Sequence, residues 1–241
     1  MFLTVKLNKI LYFMLVLCVL VLAVLFISNS PAAAPTVSAL DNSAMPMLVI
    51  DPGHGGEDGG AVSLDGTRES EINLDISLRT AALADFMGLP YVLTRSSEHI
   101  DYPAGANTIA KMKRYDQTNR VELINHTENP VVISVHQNCF PSSKPHGPQT
   151  FFGKAVSSDV FGKLVQACLD STICPDNRRV SMPIAEKIFL MKSISCPAVL
   201  VECGFISNPE EARLLSTDVH RLKIAASLIC AYGQFLDSKP T

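Results

Sequence analysis

Hydrophobic positions along the chain form three successive regimes. Residues 10–27 (ILYFMLVLCVLVLAVLFI) are an unbroken apolar run of 18 residues with no charge, preceded by Lys6 and Lys9. Residues 28–46 are Ser, Pro, Ala and Asn with little periodicity. From Met47 onward short apolar runs alternate with stretches of helical spacing. Met47 to Ile50 predicts a strand. Glu71 to Met87 carries Ile72, Ile76, Leu83 and Phe86 at helical spacing and ends at Gly88, so it predicts a helix. Tyr91 to Thr94 predicts a strand, Tyr115 to Asn125 a helix, and the β-branched run Val131 to His136 a buried strand. Thr150 to Phe152 is a weaker strand, and Ser158 to Leu169 a helix. Ile188 to Met191 and Ala198 to Val201 read as strands. Ser207-Asn208-Pro209-Glu210-Glu211 supplies cap residues, a proline near the first turn and two early acids, which starts a helix. A last helix covers about Val219 to Leu236. Strands alternating with helices imply an α/β fold, a mainly parallel twisted sheet sandwiched by helices.

The apolar run is about the lower length for a membrane span and longer than a usual signal-peptide core. With positive charge before it, the N-terminus stays inside and the rest crosses the membrane. The expectation is therefore an N-terminal signal-anchor or signal peptide over residues 1–27, a linker over 28–46 and one exported domain over 47–241. Small residues at Ala32 to Ala34 and Val37 to Ala39 leave cleavage open. Hydrophobic content of 47% and charged content of 18% fit a globular domain plus that segment. The net charge of −3 and the lack of a basic patch argue against nucleic acid. Seven cysteines occur without a CxxC pair, which excludes a zinc-finger arrangement. Cys168 and Cys174 are one local pair that an exported domain could join; buried free thiols are the alternative.

Candidate chemistry gathers at strand ends. The first strand runs into DPGHGGEDGG, where five of the chain's 13 glycines surround His54. The Val131 strand ends at His136 and the Ala198 strand at Glu202. In open α/β sheets, sites form beyond the carboxyl ends of strands, so these groups can meet in space. Glu69, before the first long helix, is a fourth candidate, with Glu71 and Glu57 as competitors that spacing does not exclude. Two imidazoles, one carboxylate and an open position form a catalytic zinc set, and a free carboxylate nearby can move the water's proton. Glycines let the backbone approach a metal closely, and Asp51 could orient a ligand. A phosphate cradle fails because neither GK[ST] nor GxGxxG is present. His99, His126, His146 and His220 have no ligand-like setting and read as surface residues.

The stretches VIDPGHGGEDGGA, GTRESEINLDIS, ISVHQN and PAVLVECGFISNPEEARLL, with VLTR and RVELIN between them, resemble the zinc-dependent N-acetylmuramoyl-L-alanine amidases of bacterial cell walls, over Met47 to Leu236. The resemblance implies His54, Glu69 and His136 as zinc ligands and Glu202 as general base and acid. It selects Glu69 because Glu69 stands four residues before Asn73 in the E-x-x-x-N-L pattern. It implies hydrolysis of the amide joining N-acetylmuramic acid to L-alanine of peptidoglycan. Cys139 and Cys203 depart from the common pattern and are expected to pack beside the site. Phe140 to Gln149 is too short for the helical insertion that blocks some relatives. An N-terminal membrane segment before a lone catalytic domain is similar to amidases of spore formers that prepare the cortex for muramic lactam formation, and that likeness implies a helper protein as activator. A zinc peptidase cutting the stem peptide and a non-catalytic wall-binding protein are the competing expectations.

Overall fold

A computed structural model describes residues 45–238. The apolar segment and most of the linker expected from the sequence lie outside the described residues. Among the described residues no helix is long and apolar enough to cross a membrane.

Six strands form one sheet: β1 (Met47–Pro52), β2 (Tyr91–Leu93), β3 (Pro130–Asn138), β4 (Gln149–Phe152), β5 (Met182–Pro183) and β6 (Ala198–Phe205), in the order β2-β1-β3-β6-β4-β5. The pairs β2/β1, β1/β3, β3/β6 and β4/β5 are parallel, and β4 runs antiparallel to β6. The helices are α1 (Glu69–Phe86), α2 (Ile109–His126), α3 (Ser158–Ile173), α4 (Phe189–Ser193), α5 (Pro209–Leu215) and α6 (Asp218–Ser238). The mainly parallel α/β sheet expected from the alternation is present.

Strand alternation divides the core in two. Leu48, Ile50, Val131, Ile133, Val135, Val199 and Val201 point to one face, where they pack with residues of α1, α3 and α6. Val49, Val132, Ala198 and Leu200 point to the other, with Ile124 of α2 and Leu190 and Met191 of α4. Tyr232 is fully buried on the larger side, and its hydroxyl donates to Pro46 O at 2.6 Å. That bond fixes the start of β1 against α6. The second face carries less hydrophobic cover, and the space left there becomes the cleft.

Two expectations shift, and one strand was not expected. Ile188 to Met191 is not a strand: Phe189–Ser193 is a short helix, with the Ser193 hydroxyl bonded back to Phe189 O at 2.7 Å. A four-residue apolar run does not distinguish strand from helix by period, and here Leu190 and Met191 fill the second core as a helical pair. Helix α2 begins at Ile109, one turn or more before the predicted start, because the Thr108 side chain caps it by accepting from Lys111 N at 3.3 Å. The two-residue β5 carries no hydrophobic pattern to find.

Candidate active site

The same alternation places the chemistry. Asp51 of β1, Ser134 and His136 of β3 and Glu202 of β6 all fall on the sparsely covered face, in phase with Val49, Val132 and Leu200. Ser134 pairs with both Asp51 and Leu200 across the ladder, and His136 pairs with Glu202. A cleft of about 490 Å³ opens over this row, bounded by Lys113 and Gln117 of α2 and by Phe189 to Met191 of α4. The run misread as a strand is therefore one wall of the site.

His54 follows β1, and Glu69 enters from the opposite layer as the first residue of α1. Potential ligand atoms, one each from His54, Glu69 and His136, lie within 4.8 Å of one another, close enough that they could hold one ion. The two imidazoles meet edge to face, with centroids 5.1 Å apart. His136 Nδ1 lies 3.1 Å and His54 Nε2 3.4 Å from Glu69 Oε1. Glu69 is 4% exposed, and its oxygens also accept from Ala61 N at 2.9 Å and Gln137 N at 3.1 Å. Burial opposes its charge, but the His136 and His54 rings outweigh that and hold its carboxyl far below the usual range. His54 Nδ1 lies 3.0 Å from Asp58 Oδ2, and Lys113 Nζ 2.8 Å from the same oxygen. An ionised carboxylate only accepts, so Nδ1 carries the proton and Nε2 faces the site. Burial works against a charge on His54, yet Asp58 and Glu69 lift its pKa to about 9.

Glu202 is set apart from this cluster. Its Oε2 is buried without a hydrogen-bond partner. Burial pushes its pKa up to about 7, against the pull of His136. A carboxylate kept near neutrality and aimed at a cleft is suited to take and return a proton.

The glycines have steric work here. A Cβ on Gly53 would lie 2.3 Å from two atoms of the His136 ring, and one on Gly60 would lie 2.6 Å from Glu69 Oε2. The loop therefore wraps the three groups at backbone distance. Asp51, expected to orient a ligand, touches no ligand ring. It accepts from Thr94 Oγ1 and Ser134 Oγ at 2.6 Å each and from Arg120 Nη1 at 2.8 Å. Burial would raise its pKa, but Arg120 and the two hydroxyls hold it below the usual carboxylate range. Asp58 and Lys113 were not singled out from the sequence, and Arg120 entered only as the first residue of the RVELIN match, with no role given to it. The structure adds a second signal: Arg120 sits one turn before buried Ile124, a charged residue on the buried stripe of α2.

Of the competing acids, Glu57 and Glu71 are exposed, which leaves Glu69 as the carboxylate beside the rings. His99, His126 and His146 are exposed and His220 is half-buried, all outside the cluster. The six described cysteines are free. Cys168 adjoins Cys230 rather than pairing with Cys174. Cys203 is buried as expected, but Cys139 is exposed, because it follows the end of β3 where the chain leaves the sheet.

Two imidazoles and a carboxylate that could hold a metal ion, at the strand ends of an α/β sandwich and beside a separate buried carboxylate, are an arrangement suited to hydrolytic chemistry. The chain belongs to the N-acetylmuramoyl-L-alanine amidase family, whose model matches residues 48–231, and it is an enzyme of that class. It is 34% identical over 183 residues to the germination-specific N-acetylmuramoyl-L-alanine amidase of Bacillus subtilis, covering 76% of each chain. It is 27% identical to the amidase AmiA of Escherichia coli, over 80% of this chain and 78% of that one. Among solved structures it is similar to the CwlD amidase of Clostridioides difficile, determined in complex with the GerS lipoprotein. The TM-score is 0.77 and the identity 32%, over 80% of this chain and 100% of that one.

Proposed function

We propose that the chain hydrolyses the amide between the lactyl group of N-acetylmuramic acid and L-alanine in peptidoglycan, using zinc held by His54, Glu69 and His136. The observation that carries this reading is the convergence of those three side chains within 4.8 Å, with Glu202 on the strand paired to that of His136. The donor set fits zinc: two imidazoles and one carboxylate, with no lysine or arginine among the polar partners of Glu69. When bound, zinc supplies a Lewis acid that polarises the amide carbonyl and acidifies a water. Asp58 holds His54 in the tautomer that directs Nε2 inward. Glu202 takes the proton of the attacking water and delivers it to the departing alanine nitrogen. The adjoining cleft accommodates the glycan and stem peptide on either side of the bond.

The substrate pool we assign is the spore cortex. The likeness to a germination-specific amidase supports it, as does the expected layout of a membrane segment before one catalytic domain. The location we assign is outside the cytoplasm, tethered to or released from the membrane; the apolar run over residues 10–27 of the sequence supports it. A lipoprotein activator of the kind bound to the C. difficile relative is the assigned partner.

Mass spectrometry of isolated cortex and vegetative peptidoglycan, treated with the purified protein and zinc, tests these assignments. Peptides with free N-terminal L-alanine, alongside glycan with intact lactyl groups, are expected. Cuts within the stem peptide would replace the amidase reading with a peptidase one. Equal release from vegetative walls would remove the cortex assignment.

A further inference from the structure

We propose that Arg120 is a positioning residue for the zinc site, acting through the backbone of His54; this rests on the zinc reading above. His54 has φ 61, in the left-handed region that side-chain-bearing residues adopt only when something holds them there. Asp58 holds its ring. Its backbone is held by Arg120, whose Nη2 donates to His54 O at 2.5 Å. Nη1 donates to Pro52 O at 2.5 Å and to Asp51 Oδ1 at 2.8 Å. The remaining edge meets Asp116 Oδ2, at 2.9 Å from Nε and 2.8 Å from Nη2. The guanidinium thus makes four hydrogen bonds and an ion-pair contact from Nη2 to Asp116, on a side chain 4% exposed.

The planar fork sets the carbonyls of residues 52 and 54 in one fixed relation. They flank the turn that swings the His54 ring over Glu69. Asp51, tied to Ser134 and Thr94, anchors the fork to β3 and to the residue after β2. His136 is two residues beyond Ser134 on the same face of β3. One buried guanidinium therefore relates the loop bearing one imidazole to the strand bearing the other. Lysine cannot copy this, because a single ammonium has no rigid pair of donor edges. A merely structural ion pair with Asp51 would need none of the bonds to Pro52 O and His54 O. Those bonds are what assign Arg120 to the metal site.

The test is zinc affinity by chelator competition, with visible spectra of the cobalt-substituted protein and thermal melts of the chelator-treated protein. Arg120→Lys keeps a positive charge against Asp51. It should melt cooperatively, bind zinc about 10- to 100-fold more weakly, the range for losing an outer partner of a metal ligand, and shift the cobalt bands. Hydrolysis should recover as zinc is raised, showing a loss of affinity rather than of chemistry. The variant Asp51→Asn/Asp116→Asn/Arg120→Gln removes the guanidinium together with both carboxylates it pairs and should show the same weakening, which covers the case of Arg120→Lys failing to fold. Zinc affinity within about twofold of the parent in either folded variant would overturn the proposal. Failure of the zinc reading looks different: the parent protein itself would bind no zinc dependent on His54, Glu69 and His136.

Discussion

His136 and Glu202 stand opposite each other on the paired strands β3 and β6 and share one face of the sheet. A proposed ligand and the proposed base are thus related by a ladder position, not by a loop, so their separation is as rigid as the sheet. This makes the two roles separable by substitution. Glu202→Gln keeps the shape of the side chain and leaves the ligand cluster intact. It should retain one zinc per chain and lose hydrolysis by at least 10²- to 10⁴-fold, the range for removing a positioned acid–base group. His136→Ala should lose the zinc as well. Metal analysis beside muropeptide assays checks both, and unchanged turnover in Glu202→Gln would remove the assigned base.

The same carboxyl should weaken the fold of the chelator-treated protein at alkaline pH. Burial raises the pKa of Glu202 from its ordinary 4.5 to about 7, so the fold favours the protonated form. The stability it contributes is fully present below about pH 4.5 and is lost as pH rises through about 7. Glutamine cannot ionise and escapes this loss. Chelator-treated Glu202→Gln should therefore exceed the parent by about 1–3 kcal/mol at pH 8, a few degrees in melting temperature, and match it near pH 4.5. Paired calorimetric melts at the two pH values measure this. A gain of equal size at both would show a packing effect instead of a titration.

The sequence disclosed the site wherever a strand ended in a polar group, and concealed it wherever a bond crossed between elements. Strands β1, β3 and β6 are β-branched runs whose length and composition allow few alternatives, so Asp51, His136 and Glu202 could be located at their ends. Glu69 could not be separated from Glu57 and Glu71 by pattern, because all three flank one loop. Folding separates them by turning the first residue of α1 inward while Glu71 stays exposed. Arg120 was visible only as part of a helical match. Apart from Asp116 one turn earlier, its partners lie 66 to 69 residues away in the chain, beyond the reach of any local period. The short α4 was misread for a related reason: what makes it a helix is the burial of Leu190 and Met191 against β3 and β6, not its own propensity.

Two glycines separate close approach from backbone conformation. Gly53 passes so near His136 that an added Cβ would overlap the ring. Gly53→Ala should cost roughly 1–3 kcal/mol of stability from overpacking and weaken zinc binding at least tenfold. Gly88, after α1, has φ +67 and open space around its Cα. Gly88→Ala should cost about 1–2 kcal/mol through backbone strain alone and leave zinc affinity and hydrolysis unchanged. Melting curves and chelator competition on the pair distinguish the two effects. Tight zinc binding in Gly53→Ala would mean that the His136 ring can move aside without loss.

Asp58 should govern how His54 presents itself. Its carboxylate accepts from His54 Nδ1 and is itself held by Lys113, so both the tautomer and the ring direction depend on it. Asp58→Ala removes the acceptor, frees the ring to rotate and should lower zinc affinity about 10- to 100-fold. Asp58→Asn keeps an acceptor oxygen but not the charge that meets Lys113, so its loss should be smaller. Because Glu202 is untouched in both, hydrolysis at saturating zinc should return close to the parent rate, with the deficit confined to the zinc concentration needed. Titration of activity against zinc, compared with direct binding, reads this split. A deficit that persists at saturating zinc would place Asp58 in the proton-transfer step rather than behind the ligand.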